Sequence, residues 1–107
     1  MTNVFFDSKE LVMEIRGHAG FANAGQDIVC AAVSALSMTL LAAAEEEPMY
    51  QASRDINKQE ALIRVSCCPE RGYMTRCREM FRTICIGFEL LHMEYPGFVR
   101  IEVSECS

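Results

Sequence analysis

The stretch LVMEIRGHAGFANAGQDIVCAAVSAL, residues 11–36, decides the fold. Its first part alternates, with Leu11, Met13 and Ile15 on one face of an extended chain and Val12, Glu14 and Arg16 on the other, the pattern of a half-buried strand. Residues 17–26 follow, with three glycines and three alanines. Asp27 then stands where an N-cap belongs, because its carboxylate can accept the unpaired amides of a first helical turn. From Ile28 to Ala44 there is no charged residue, and the spacing predicts a helix ending before Glu45, Glu46, Glu47 and Pro48. Three carboxylates oppose the negative end of a helix dipole, so they mark a fraying terminus.

Working outward, residues 3–6 (NVFF) read as a short strand, and residues 50–56 (YQASRDI) and 60–67 (EALIRVSC) as two strands around a turn. In the second of these, Ala61, Ile63 and Val65 alternate with Leu62, Arg64 and Ser66. Met74 to His92 is an amphipathic helix, with Cys77, Phe81, Ile84, Phe88 and Leu91 at spacings of three and four. Pro96 and Gly97 stop it, and residues 98–104 (FVRIEVS) alternate as a last strand. The order is ββ-α-ββ-α-β: an α/β class fold, a small sandwich with a mixed five-stranded sheet and two main helices. Residues 1–107 are expected to form a single domain, long enough to bury roughly two-thirds of its unfolded surface. The uncharged first helix needs cover on more than one side, which a partner subunit would help to supply.

Composition excludes several classes. A net charge of −5 argues against direct nucleic-acid binding and against an anionic membrane surface, while leaving a basic substrate open. The first ten residues carry no basic segment followed by an apolar core. The uncharged run from Ile28 is rich in Ala, Ser and Thr, and reads as a buried helix of a soluble protein. Six cysteines without a leader suggest free thiols in a reducing cytoplasm, although an even count also fits three disulfides.

In a strand–loop–helix unit the strand's carboxyl end and the helix's amino end share one edge of the sheet. His18 and Cys30 therefore come within reach if the small-residue loop folds back. The placement suits a nucleophile. Amides at a helix start favour a thiolate, a neighbouring imidazole can take the thiol proton, and nearby amides can donate to an oxyanion. Spacing alone leaves a plainer alternative open, in which Cys30 is a small core residue and His18 an edge residue.

Gly17-His18-Ala19, five residues, Gly25, then Asp27-Ile28-Val29-Cys30-Ala31-Ala32-Val33-Ser34 resembles the bacterial ribosomal-processing cysteine protease family (Prp). The motif spans less than a fifth of the chain, with no position missing. The resemblance implies an endopeptidase that removes an N-terminal extension from the twenty-seventh large-subunit ribosomal protein. In it Cys30 would be the nucleophile and His18 the general base and acid. It also implies a homodimer and a mobile loop for which Gly17, Gly20 and Gly25 supply backbone freedom; no metal and no cofactor are expected.

Asp27 reads first as a helix cap and second as a third member orienting His18. Ser34, one turn beyond Cys30, lines the cleft or bonds back to its own helix. Cys67 and Cys68 are adjacent, with Cys77 and Cys106 farther on, a spacing that does not suit zinc. His92 is expected to face solvent near a helix end, and Arg71, Arg76, Arg78 and Arg82 a solvated face. Two further functions compete with the protease: a ribosome-associated binding module of the same fold without chemistry, and a thiol-redox enzyme.

Overall fold

The computed structural model describes residues 1–23 and 25–104. Five strands, β1 (Thr2–Asp7), β2 (Val12–Arg16), β3 (Ser53–Asn57), β4 (Leu62–Ser66) and β5 (Val99–Ser104), form one sheet in the order β3-β4-β2-β1-β5. All neighbours are antiparallel except β1 and β5, so the sheet is mixed, as expected. Helices α1 (Ile28–Glu46) and α2 (Met74–Glu94) complete the ββ-α-ββ-α-β order.

Alternation sets the two faces. Thr2, Val4 and Phe6 of β1, Met13 and Ile15 of β2, Val65 of β4 and Val99 of β5 are buried. The register pairs Val4 with Ile15, Phe6 with Met13 and Met13 with Val65, so these residues make one continuous apolar surface. From the helices, Val29, Val33, Leu40, Leu41 and Ala44 of α1 and Cys77, Phe81, Ile84, Cys85 and Phe88 of α2 close over it. Phe6 stacks on Phe81 with ring centroids 5.0 Å apart. The opposite face keeps Arg16 and Arg64 in solvent, with Glu14 bonding Arg16. Buried hydroxyls are satisfied: Ser37 donates to the Val33 carbonyl, and Thr2 to that of Gly17.

The structure departs from the sequence reading at several points. Helix α1 continues through Glu45 and Glu46, because Glu45 meets Arg54 of β3 in a two-pronged ion pair. Tyr50 belongs to a short 3-10 turn (Pro48–Tyr50) rather than to a strand. Pro48 presets its first residue, the Glu47 carboxylate accepts from the Met49 amide, and Gln51 closes it in the left-handed region, so β3 begins at Ser53. His92 is not a free solvent group, for its Nδ1 donates to the Val99 carbonyl at 2.7 Å and ties α2 to β5.

By length and composition α1 is apolar enough to cross a membrane, yet its core side is packed on the sheet and α2. Gly87 of α2 lets the helices approach, since a Cβ there would lie 2.6 Å from a Leu36 methyl. The outer side of α1, including Ala31, Ala35, Met38 and Ala42, stays exposed. Helix coverage is also uneven across the sheet. On one flank α2 packs against β5, whereas on the other β3 lies beyond α1 and leaves Ile56 39% exposed.

Candidate active site

Strand β2 ends at Gly17, and the backbone there is fixed in three ways. Its N–H donates to the Ala61 carbonyl at 2.8 Å, and its own carbonyl accepts from the Thr2 hydroxyl at 3.2 Å. Its φ is +93°, and a Cβ would lie 2.5 Å from the Met1 carbonyl oxygen. Only glycine fits. Ala19, two residues on, is buried, so exposed His18 is held between two anchored neighbours.

Cys30 occupies the first turn of α1, half-buried against the core. Its amide donates to Asp27 Oδ1 at 2.8 Å, which makes Asp27 the N-cap. The second oxygen of that carboxylate accepts from the loop amides of Phe21 at 2.9 Å and Ala22 at 3.3 Å. These bonds, led by the one from Cys30, hold the Asp27 carboxyl below the ordinary value of 3.8. Every hydrogen bond to this carboxylate among the described residues comes from backbone, and none comes from His18. The Cys30 amide is thus already engaged and is not a free oxyanion donor in this state.

Two hollows meet at His18, Cys30 and Ser34, which line both. The first, about 530 Å³, runs between α1 and the uncovered β3–β4 flank. Val33 and Met38 of α1 face Ile56 and Ile63 across it, with Lys58 at the rim. Ile56 and Ile63 are register partners, so two apolar side chains stand together, Ile63 at the margin of the core and Ile56 exposed beyond it. The second hollow, about 580 Å³, is walled by Gly20, Ala22 and Gly25 of the loop and by Asp27 and Ala31. Among the described residues no hydrogen bond joins His18 to Cys30. The imidazole and thiol share a cleft without being closed on each other, as is common before substrate binds.

The structure therefore brings His18, Cys30 and Ser34 together and assigns Asp27 to capping and loop attachment. Gly20 and Gly25 both take positive φ, with open space where a side chain would stand. The β3–β4 wall escapes sequence reasoning, although the isoleucines at 56 and 63 on either side of a turn are the signal that points to it. Elsewhere, Cys67 is buried and Cys68 exposed, and Cys106 lies outside the described residues. Arg78 and Arg82 line a separate hollow at the far end of the sheet with Phe6, Cys85 and Val103. Arg76 lies over the Tyr73 ring and 4.0 Å from Glu47.

A family model for cysteine protease Prp matches residues 1–100. The chain belongs to the Prp family of cysteine proteases. Among solved structures, S. aureus Prp with a covalently linked product peptide, described as an essential ribosomal processing protease, is 17% identical to this Prp chain. It superposes with a TM-score of 0.85, over 97% of this chain and all of that one. The same S. aureus protease with a substrate peptide gives 19% identity and a TM-score of 0.72, over 97% of this chain and 100% of that one. SMU.848 from Streptococcus mutans is 26% identical over 95% of this chain and 90% of its own, with a TM-score of 0.72. No curated protein matches the chain.

Proposed function

We propose that this Prp-family cysteine protease uses a Cys30–His18 dyad to remove the N-terminal extension of the twenty-seventh large-subunit ribosomal protein in the bacterial cytoplasm. One observation carries the reading: His18 and Cys30 stand together on the divide between an apolar groove and a second hollow, where an extended peptide crossing from one to the other would present a carbonyl to the sulfur. Support for the substrate comes from the S. aureus relatives described as ribosomal processing proteases with peptides bound.

The chemistry follows from the placement. His18 takes the Cys30 proton as the sulfur attacks the scissile carbonyl, and negative charge passes to the carbonyl oxygen. Collapse of that intermediate expels the amine, which receives the proton from His18, and leaves a thioester. Water then attacks the thioester with His18 as base, releasing a carboxylate and the Cys30 thiol. Ser34 lines the cleft, and Asp27 fixes the helix start from which Cys30 projects.

A second copy of the chain is the partner that best covers the exposed uncharged side of α1 and the apolar Ile86, Leu90 and Met93 of α2. A reducing compartment suits the free thiols Cys30, Cys67, Cys68, Cys77 and Cys85, and the net charge of −5 supports no nucleic-acid affinity of its own. Sedimentation should give a dimer, and a monomer at high micromolar concentration removes that part of the reading.

The main test is incubation with the organism's own extended ribosomal protein, with the products weighed by mass spectrometry. Wild type should release one N-terminal fragment, and Cys30→Ala should release none while keeping its fold. Full activity in Cys30→Ala ends the proposal in favour of a chemistry that does not use this thiol. Binding of the same peptide without any cleavage by wild type favours a binding module.

A further inference from the structure

The loop that begins at His18 carries one large apolar side chain, Phe21, and it is 40% exposed. Its ring meets Tyr95 edge-on with centroids 5.5 Å apart, and Phe98 at 5.2 Å. The seat is rigid. Tyr95 closes α2 by donating to the Leu91 carbonyl, and its own carbonyl accepts from the amides of Phe98 and Val99. Phe98 in turn accepts from the Thr2 amide at the start of β1. A glycine-rich segment is thereby fastened to a fixed corner more than seventy residues away in the chain.

We propose that Phe21, seated on Tyr95 and Phe98, is a latch that positions the loop wall of the second hollow for peptide binding, resting on the proposed Cys30–His18 site. The division of labour follows from the anchors. His18 is set by Gly17 and buried Ala19, which precede the latch, so the imidazole does not depend on it. Beyond Ala19, residues 20–22 are held on one side by the ring contacts and on the other by Asp27, whose carboxylate also caps the turn bearing Cys30. Residues Gly20 and Ala22, which flank Phe21, are themselves wall residues of the hollow. The corner seat lies on the α2–β5 side, whereas the apolar groove lies on the β3–β4 side. The latch draws the loop away from the groove and sets the width of the compartment opposite it. Phe21 is a positioning residue for substrate, not a group that touches the reacting atoms.

The test uses the full chain with Phe21→Ala, Phe21→Tyr and Tyr95→Ala, read by amide hydrogen exchange and by peptide cleavage. Phe21→Ala should speed exchange at residues 19–23 and raise KM about tenfold, the ratio that loss of one good aromatic pair gives, with kcat nearly unchanged. Phe21→Tyr should restore both readouts, and Tyr95→Ala should reproduce the Phe21→Ala effect from the other side of the contact. Unchanged exchange in Phe21→Ala overturns the latch, as does faster exchange with unchanged KM, or a fall in kcat at constant KM. Exchange is read without catalysis. If wild type fails to cut any extended peptide, the dyad reading falls, while the exchange arm still decides whether Phe21 holds the loop.

Discussion

Gly17→Ala separates a loop that merely bends from one whose root is locked. At Gly20 and Gly25, with φ of +72° and +85°, an added methyl meets nothing within 4 Å. Alanine there incurs the left-handed penalty of roughly 1–2 kcal/mol, offset by about 0.4–1 kcal/mol of lost unfolded-state freedom, for a net of about 1 kcal/mol. At Gly17 the same penalty applies, and the methyl also falls 2.5 Å from the Met1 carbonyl oxygen, against an ordinary contact of 3.4 Å or more. That oxygen is backbone and cannot rotate away alone. Moving it disturbs Thr2, whose amide donates to Phe98 and whose hydroxyl donates to Gly17. Overpacking of this kind costs about 1–3 kcal/mol more, so Gly17→Ala should lose about 3 kcal/mol in all.

For a domain of this length each kcal/mol corresponds to roughly 4–8 °C in Tm, so Gly17→Ala should melt about 12–24 °C below wild type. The two other variants should each fall by about 4–8 °C. The assay is thermal and urea unfolding by circular dichroism on the three variants in parallel, with the difference between Gly17→Ala and Gly20→Ala isolating the clash. If those two lie within about 0.5 kcal/mol of each other, the tight root is wrong, and with it the claim that His18 is held independently of the loop tip.

Asp27→Asn should lower stability near neutrality and lose its effect in acid. The folded carboxyl sits below 3.8, so its contribution is complete above that value and disappears as pH falls through the lowered folded value. The stability gap between wild type and variant should therefore narrow as pH falls below 3.8, and a gap that stays constant from neutrality into acid refutes the ionised cap. For the thiols, burial pushes Cys67 and Cys85 up to about 12, and also raises Cys77. Iodoacetamide at mild alkaline pH should label exposed Cys68 in the native protein and leave those three until the protein unfolds, and labelling of native Cys85 as fast as that of Cys68 contradicts its burial. Finally, Ile56→Asp on the open flank should leave the fold intact and raise KM for the extended peptide by about tenfold or more, since burying an isoleucine supplies roughly 1.5–3 kcal/mol. An unchanged KM means that the peptide does not use this groove.

Where local pattern and tertiary packing agree, the sequence sufficed. Leu11, Met13 and Ile15 alternate, and all three are buried. Cys77, Phe81, Ile84 and Phe88 recur at helical spacing, and all four face the core. The misplaced boundaries had two origins: Arg54 of β3 pairs with Glu45 and keeps it in α1, and the local turn set by Glu47, Pro48 and left-handed Gln51 takes Tyr50 out of β3. At the site, strand–loop–helix order brought His18 and Cys30 to one edge. The seat for Phe21 was illegible, because nothing near residue 21 announces Tyr95 and Phe98. Nor could spacing reveal the groove, which exists only because the edge strand extends past the helix that would have covered it.

The double use of Asp27 constrains the chemistry more than its identity as a cap suggests. An ionised carboxylate one helical turn from Cys30 opposes negative charge on the sulfur, working against the positive potential of the helix start. Its oxygens accept from the amides of Cys30, Phe21 and Ala22, and His18 is not among these partners, so in this structure the carboxylate does not orient the imidazole. On the proposed dyad, a thiolate at Cys30 would take its counter-charge from the imidazolium of His18. Activation on this reading requires the two side chains to close on each other within the cleft. On the proposed function, a peptide settling between the groove and the loop wall would supply the occasion, by displacing water from around both groups and strengthening their mutual attraction. A Cys30 alkylation rate that is the same in wild type and His18→Ala, with and without an uncleavable peptide bound, would show that the sulfur does not depend on this pairing.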